Sequence, residues 1–378
     1  MAVERRHPAG KSPLRESKPG PDQIKRVVVR GTNWVGDAVI TVPALRELRR
    51  VLPDAHISLV SRPGTADIFI DADFVDELLV YDRTGLGSAW NQVRAWRRRR
   101  FDLALLFQNA FEAAAIAFLA RVPLRIGYDA DHRRSLLTQA IPLPAWNNQR
   151  HEIYYYLNLV AELERLLYGA SVVESVESVG SNQPQFALAV SIDRQHRAKE
   201  LLRGHGLRAD APLVLLCPGS INSRAKRWPA ERYAAVADHF AATGASVALI
   251  GSAAEMEVSD QVCRHARNQP IVLTGKTSVA EATAIISVAD MLITNDTGPA
   301  HIGSAVGTPT LVIFGPTNPL TTRPFASNAE IIRHEPDCAP CMLRDCPIDH
   351  RCMTAITPEE VFARAGAMML HSRAEVTA

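Results

Sequence analysis

The run LITNDTGPAHIGSAVGTP, from Leu292 to Pro309, holds the residues of this chain best suited to binding a phosphate. Apolar residues Met291 to Thr294 read as a buried strand, and Asn295 and Asp296 can cap a helix. Thr297, Gly298 and Pro299 supply its first turn, with Pro299 where a missing N–H costs least. A helix N-terminus carries roughly half a positive charge and unpaired backbone N–H groups. Gly298 has no side chain to obstruct an approaching oxygen. His301 follows Thr297 by four residues, so it lies one turn along the same face and can donate to the same anion. The pattern fits a pyrophosphate, although an ordinary capped helix with a surface histidine would read the same way.

Two other loops offer complementary chemistry. After a strand ending near Arg30, the chain reads GTNWVGDAVITVPAL, with Gly31 and Gly36 at P-loop spacing. Asp37 and Ala38 stand where a P-loop places Lys and Ser or Thr, and a carboxylate there would repel phosphate. The G-x-G-x-x-G dinucleotide pattern is also absent. Asp37 is instead placed to take a proton from an incoming hydroxyl at the carboxyl edge of a parallel sheet, or simply to cap the helix. The second loop, in LVLLCPGSINSRAKRWPAERY, gathers Arg224, Lys226 and Arg227 before a helix starting at Pro229. Cations facing the TGPAH helix would bridge a diphosphate and offset charge growing on a leaving nucleotide; a solvated basic loop is the plain alternative. Glu255 and Glu257, after Gly251-Ser252, stand where a carboxylate can accept ribose hydroxyls, although glutamates on a helix surface are common.

The elements that must position these loops form two successive β–α series. Strands are expected at Arg26 to Val29, Ile57 to Val60, Glu77 to Tyr81, Leu103 to Phe107 and Arg125 to Tyr128, then at Leu213 to Cys217, Ser246 to Ile250, Ile271 to Leu273, Met291 to Thr294 and Thr310 to Phe314. Helical spacing covers Ala38 to Val51, Ser88 to Arg99, Glu152 to Leu167 and Asp193 to Gly204, with further helices opening at Pro229, Ala254, Ser278 and Thr297. Such alternation predicts two doubly wound parallel sheets of Rossmann type facing a cleft. The expected division is a tail over 1–23, a first domain over 24–185, a second over 186–356, and a last helix in 357–378 packing back towards the first domain. The hinge is placed in the polar stretch from Tyr168 to Gln185.

With 378 residues, 47% of them apolar and 22% charged, the composition is that of a globular protein of two domains. A net charge of +2 argues against nucleic-acid binding driven by bulk charge. The first 23 residues lack the apolar stretch of a signal peptide, and the longest apolar run, around Phe111 to Leu119, is too short to span a bilayer. Six cysteines are too few for a disulfide scaffold, so a cytoplasmic location is expected. Four of them, Cys338, Cys341, Cys346 and Cys352, cluster as C-x2-C-x4-C-x5-C, a spacing that a zinc or iron–sulfur site or a compact loop of free thiols would share.

In NWVGDAVITVPAL, AKRWP, NDTGPAH, FGPTNP and CAPCMLRDCPIDHRCM, taken in order from about Ile24 to the C-terminus, the chain resembles the ADP-heptose:lipopolysaccharide heptosyltransferases. The resemblance implies a GT-B fold and inverting transfer of heptose from ADP-L-glycero-D-manno-heptose to a heptosyl-Kdo-lipid A inner core. It implies Asp37 as general base, Lys226 as a phosphate or sugar contact with a part in catalysis, and Glu255, Asp296, Thr297, Gly298 and His301 as donor contacts. Ser220, Asn222 and Ser223 join the donor set, and Arg30, Asn33 and Trp34 are expected at the acceptor. The segment Ile221 to Arg224 departs from the family's usual Gly-Pro and aromatic or hydroxyl pattern. A helix terminus and nearby cations can do a metal's work on a diphosphate, so no obligatory metal or cofactor is expected, and a monomer is. The run Trp96 to Arg100, with Arg121, Arg125, Arg133 and Arg134, suggests a basic face towards an anionic membrane surface. A sugar-nucleotide 2-epimerase of the same fold and a non-catalytic nucleotide-sugar-binding subunit are the alternatives.

Overall fold

The computed structural model describes residues 20–172 and 184–377. Strands β1 (Arg26–Arg30), β2 (His56–Ser61), β3 (Glu77–Val80), β4 (Leu103–Leu106), β5 (Leu124–Tyr128) and β6 (Gln139–Ile141) form one sheet, parallel throughout, in the order β3-β2-β1-β4-β5-β6. Strands β7 (Leu213–Cys217), β8 (Ser246–Leu249), β9 (Ile271–Val272), β10 (Met291–Asn295), β11 (Thr310–Ile313) and β12 (Ala329–Ile332) form a second with the same winding, β12-β11-β10-β7-β8-β9. The central strands are Val, Leu and Ile runs buried on both faces, as a parallel sheet covered by helices requires. Strand order reverses between β1 and β4 and between β7 and β10, and a ligand crevice lies outside the carboxyl ends at such a reversal.

The helices are α1 (Val35–Ile40), α2 (Val42–Val51), α3 (Leu86–Arg99), α4 (Phe111–Leu119), α5 (Glu152–Tyr168), α6 (Ile192–Gly204), α7 (Ala230–Ala242), α8 (Met256–His265), α9 (Val279–Ser287), α10 (Gly298–Ala305), α11 (Pro319–Thr322), α12 (Arg351–Thr354) and α13 (Pro358–Thr377). The single helix expected over Ala38 to Val51 is two, broken at Thr41, because Pro43 has no N–H with which to continue the ladder. The edge strands β6 and β12 escape the pattern reading; they are three and four residues long and largely half-buried, so they carry little apolar signal.

Core residues of α2 and α5 belong to the same apolar cluster as those of α6, α9 and β7, so the two halves share packing. Helix α6 packs on α9, while its Arg194 pairs with Asp71 of the first half at 2.6 Å. The last helix does not reach back to the first sheet as expected. It packs on α7, β10 and β11, placing Val361, Ala365 and Met368 in a core with Trp228 and Tyr233 and stacking Phe362 on His239. Of the expected tail, 1–19 lie outside the described residues, and Pro21–Gln23 form a short 3-10 turn. Most of the expected hinge, 173–183, also lies outside them.

Candidate active site

Helices α1 and α10 meet across the gap between the sheets, and two glycines permit it. A Cβ on Gly298 would lie 2.9 Å from Val35 Cγ1, and one on Gly36 would lie 3.1 Å from the His301 ring. The loop after β1 is thereby brought against the start of α10. Both border one cavity of about 440 Å³, to which the first half contributes Trp34 and Asp37 and the second half Ser220, Asn222, Lys226, Glu255, Asp296, Thr297, Gly298 and His301. Ten of the residues expected from sequence therefore share one space.

Three do not enter it as expected. Arg30 is buried and spends its guanidinium on the carbonyls of Gly31 (3.0 Å) and Val60 (3.2 Å), with Asn33 Oδ1 at 3.4 Å. Burial pushes its pKa down to about 10. Arg30 and Asn33 thus shape the β1 loop from beneath rather than presenting charge to an acceptor. Ser223 is buried and turns away, donating to the backbone carbonyls of Arg344 and Leu343 at 3.2 and 3.4 Å. The neighbouring cations are also engaged: Arg224 pairs with Asp345, and Arg227 donates to Ser220 O, so within that cluster Lys226 alone lines the cavity.

Lys226 Nζ sits 2.8 Å from Asp296 Oδ2 and donates to Asp296 O at 3.1 Å, which leaves one of its three protons for a ligand. Thr317 donates to the same Asp296 oxygen at 2.6 Å. Asp296 is therefore a lysine anchor; Thr297 is the residue at the N-cap, and no side chain caps the helix. The first turn of α10 thus borders the cavity with the lysine ammonium beside it, a concentration of positive charge suited to a diphosphate. Asn295, fully buried, ties this floor together: its side chain accepts from Trp228 N and Tyr233 Oη and donates to the carbonyls of Pro218 and Gly219.

His301 is buried, its Nδ1 has no hydrogen-bond partner among the described residues, and burial pushes its pKa down to about 4, so the ring is neutral at pH 7. It offers a hydrogen bond, not a charge. Glu255 gives one carboxylate oxygen to Ser252 N and Oγ, both at 2.8 Å, while the other side of the carboxylate occupies the space a Cβ on Gly219 would take. Burial raises the pKa of Asp37 while Lys226 pulls it down, which makes the carboxylate a better proton acceptor than one in water.

Glu152, which sequence reasoning treated only as a helix residue, shares this field. Burial first, then Asp37 and Asp296, push its carboxyl up to about 7. It opens α5 just after His151, whose ring bonds Arg323 O at 2.6 Å and packs at a tilt against Phe325 from the other half. An acid in a first helical turn is ordinary, so nothing in the sequence singles it out.

The basic face expected on the first half is redrawn. Trp96 is buried against Phe101, Arg133 is fully buried and donates to Tyr128 O and Asn109 Oδ1, and Arg125 is half-buried with its Nε on Leu136 O. Arg134 is exposed and paired with Asp129. What stays exposed is Leu86 and Trp90 on α3 and Phe111, Phe118 and Leu119 on α4, with Arg94, Arg97, Arg98, Arg100 and Arg121 nearby. No helix among the described residues is long and apolar enough to cross a membrane. The four clustered cysteines are free, and no three His, Cys, Asp or Glu side chains among the described residues are gathered to hold a metal.

The profile of glycosyltransferase family 9 (heptosyltransferase) matches residues 90–351. Lipooligosaccharide heptosyltransferase 2 of Haemophilus influenzae is 26% identical over 81% of this chain and 88% of that protein. Lipopolysaccharide heptosyltransferase 2 of Salmonella typhimurium is 27% identical over 82% and 88%. Among solved structures, E. coli ADP-heptose LPS heptosyltransferase II is similar at a TM-score of 0.79, with 23% identity over 92% of this chain and 99% of that one. The family 9 glycosyltransferase of Veillonella parvula is similar at 0.78, with 26% identity over 92% and 97%. The two six-stranded sheets are the paired Rossmann-like domains of the GT-B fold, and the chain belongs to glycosyltransferase family 9, the heptosyltransferases.

Proposed function

We propose that this protein transfers a heptose, with inversion, from ADP-L-glycero-D-manno-heptose to a heptosyl-Kdo-lipid A inner core in lipopolysaccharide core assembly. One observation carries the reading: a half-buried carboxylate from the first half, Asp37, shares a cavity with an uncapped helix end and a lysine from the second. Asp37 takes the proton of the acceptor hydroxyl as its oxygen attacks the anomeric carbon. The C–O bond to the diphosphate breaks, and the charge passing to ADP is met by the α10 N-terminus, Lys226 and a hydrogen bond from His301. Ser220, Asn222 and Glu255 are left for the rest of the donor, with Glu255 at the ribose. Trp34, half-exposed at the rim, is the acceptor contact that remains once Arg30 is turned inward. Asp37 precedes the span matched by the family profile, so its role rests on geometry.

In this reading residues 24–185 serve the acceptor and 186–356 the donor, and the protein works as a monomer on the cytoplasmic face of the inner membrane. Helix α3 has no acidic residue and ends in an arginine run, and the apolar side chains exposed on α3 and α4 lie beside it, which suits an anionic lipid surface. The helix end and Lys226 supply the positive charge the leaving group needs, so no added metal is called for. The test is incubation with ADP-heptose and the lipid-linked acceptor in excess chelator, reading acceptor mass and ADP. A gain of one heptose per acceptor is expected. Epimerised donor formed without acceptor, or tight donor binding without turnover, would overturn the reading.

A further inference from the structure

The cysteine-rich segment that the proposed chemistry leaves unused lies against the three residues preceding Lys226. Ala225 is buried and held through the peptides on both sides of its Cα: its N–H donates to Arg344 O at 2.9 Å, and the His350 ring Nε2 donates to its carbonyl at 2.6 Å. Ser223 Oγ donates to Arg344 O, and Arg224 Nε reaches Asp345 Oδ1 at 2.6 Å. The segment is itself seated on the loop after β11. Met342 N donates to Pro316 O at 2.9 Å, and Cys352 and Met353 fill the space beside Gly315. That loop continues to Thr317, which bonds the Asp296 oxygen that Lys226 also touches. The contacts close a ring: the cysteine-rich segment holds Ala225, Lys226 meets Asp296, Asp296 meets Thr317, and the Thr317 loop carries the segment.

We propose that residues 338–352 are a brace whose task is to position the Lys226 ammonium, with His350 as its main positioning residue. The inference rests on the reading of Lys226 as a contact to the departing diphosphate. A side chain with several rotatable bonds reaches one place only if its own backbone is fixed, and here the peptide just before it is pinned by groups outside its own loop.

A double-mutant cycle tests this. His350→Ala should lower kcat by roughly tenfold, the scale of one lost hydrogen bond acting on the transition state. His350→Gln, which keeps a donor near the Nε2 position, should stay within about threefold of the wild type. In a Lys226→Ala background, itself down by on the order of 10²–10³, His350→Ala should change kcat by less than about twofold. Ser223→Ala, a milder loosening of the same brace, runs through the same cycle should His350→Ala fail to fold, and melting curves identify that case. Equal losses in both backgrounds, or a Gln variant as impaired as the Ala variant, would overturn the brace while leaving Lys226 in place. Wild-type turnover in Lys226→Ala would overturn the reading of Lys226 and the brace with it.

Discussion

Glu152 and Asp37 show how one crowded field sets the state of single residues. The ordinary glutamate pKa is about 4.3, and in the folded protein burial and two neighbouring carboxylates hold the Glu152 carboxyl near about 7. Between those values the folded state binds more protons than the unfolded chain, so this group's contribution is intact below about pH 4.5 and is lost as pH rises through about 7. Glu152→Gln should therefore stabilise the protein at pH 8, by on the order of 1–2 kcal/mol after allowing for its remaining exposure, and change little at pH 4. Thermal melts of both proteins across that range check it; a less stable variant at pH 8 would contradict the account. The sequence announces Asp37, Lys226 and the Thr297 turn because each sits where a strand becomes a helix. It cannot announce Glu152, whose perturbation comes from groups distant in the chain, nor that Arg30 and Ser223 turn inward, since a cation or hydroxyl on a loop reads alike whichever way it points.

At the scale of elements, the β–α units are legible because the central strands are unbroken apolar runs ending in Gly, Pro or Asn, while the edge strands lack that run. Which helix meets which is not written in any local pattern. The meeting of α1 and α10 depends on Gly36 and Gly298, residues that alone read as phosphate-loop glycines. Gly298→Ala places a methyl 2.9 Å from Val35 Cγ1 and 3.1 Å from Val35 Cβ, and should cost about 1–3 kcal/mol and weaken kcat/KM by separating the two helices. Gly204→Ala, where an added Cβ meets nothing within 4 Å, is the control and should be silent in activity and within about 0.5 kcal/mol in stability. Denaturation and steady-state kinetics on the pair decide the matter; equal behaviour of the two variants would remove the role assigned to the contact. The apolar positions of α13 fit either half equally well from sequence, and the partnership of Phe362 with His239 and of Val361 with the Trp228 cluster fixes its side.

For the whole molecule, two sheets wound alike place their loops at carboxyl edges that face each other, and the proposed chemistry divides between them: Asp37 on one side, the α10 helix end and Lys226 on the other. The exposed apolar side chains of α3 and α4 with their arginines lie outside that cavity, so membrane attachment and transfer should separate. Trp90→Glu combined with Phe118→Glu should reduce sedimentation with anionic vesicles several-fold and leave turnover of a soluble, deacylated acceptor near that of the wild type; unchanged sedimentation would refute attachment through this face. The central claim is that Asp37 is the base of a heptose transfer in which the second half holds the donor. It is tested most directly by comparing wild type and Asp37→Asn for heptose gained by the lipid-linked acceptor and for ADP-heptose affinity in the same preparations. The account predicts a fall in turnover of about 10²–10⁴ with donor affinity within a few-fold. Turnover near that of the wild type, or a loss confined to donor affinity, would contradict it.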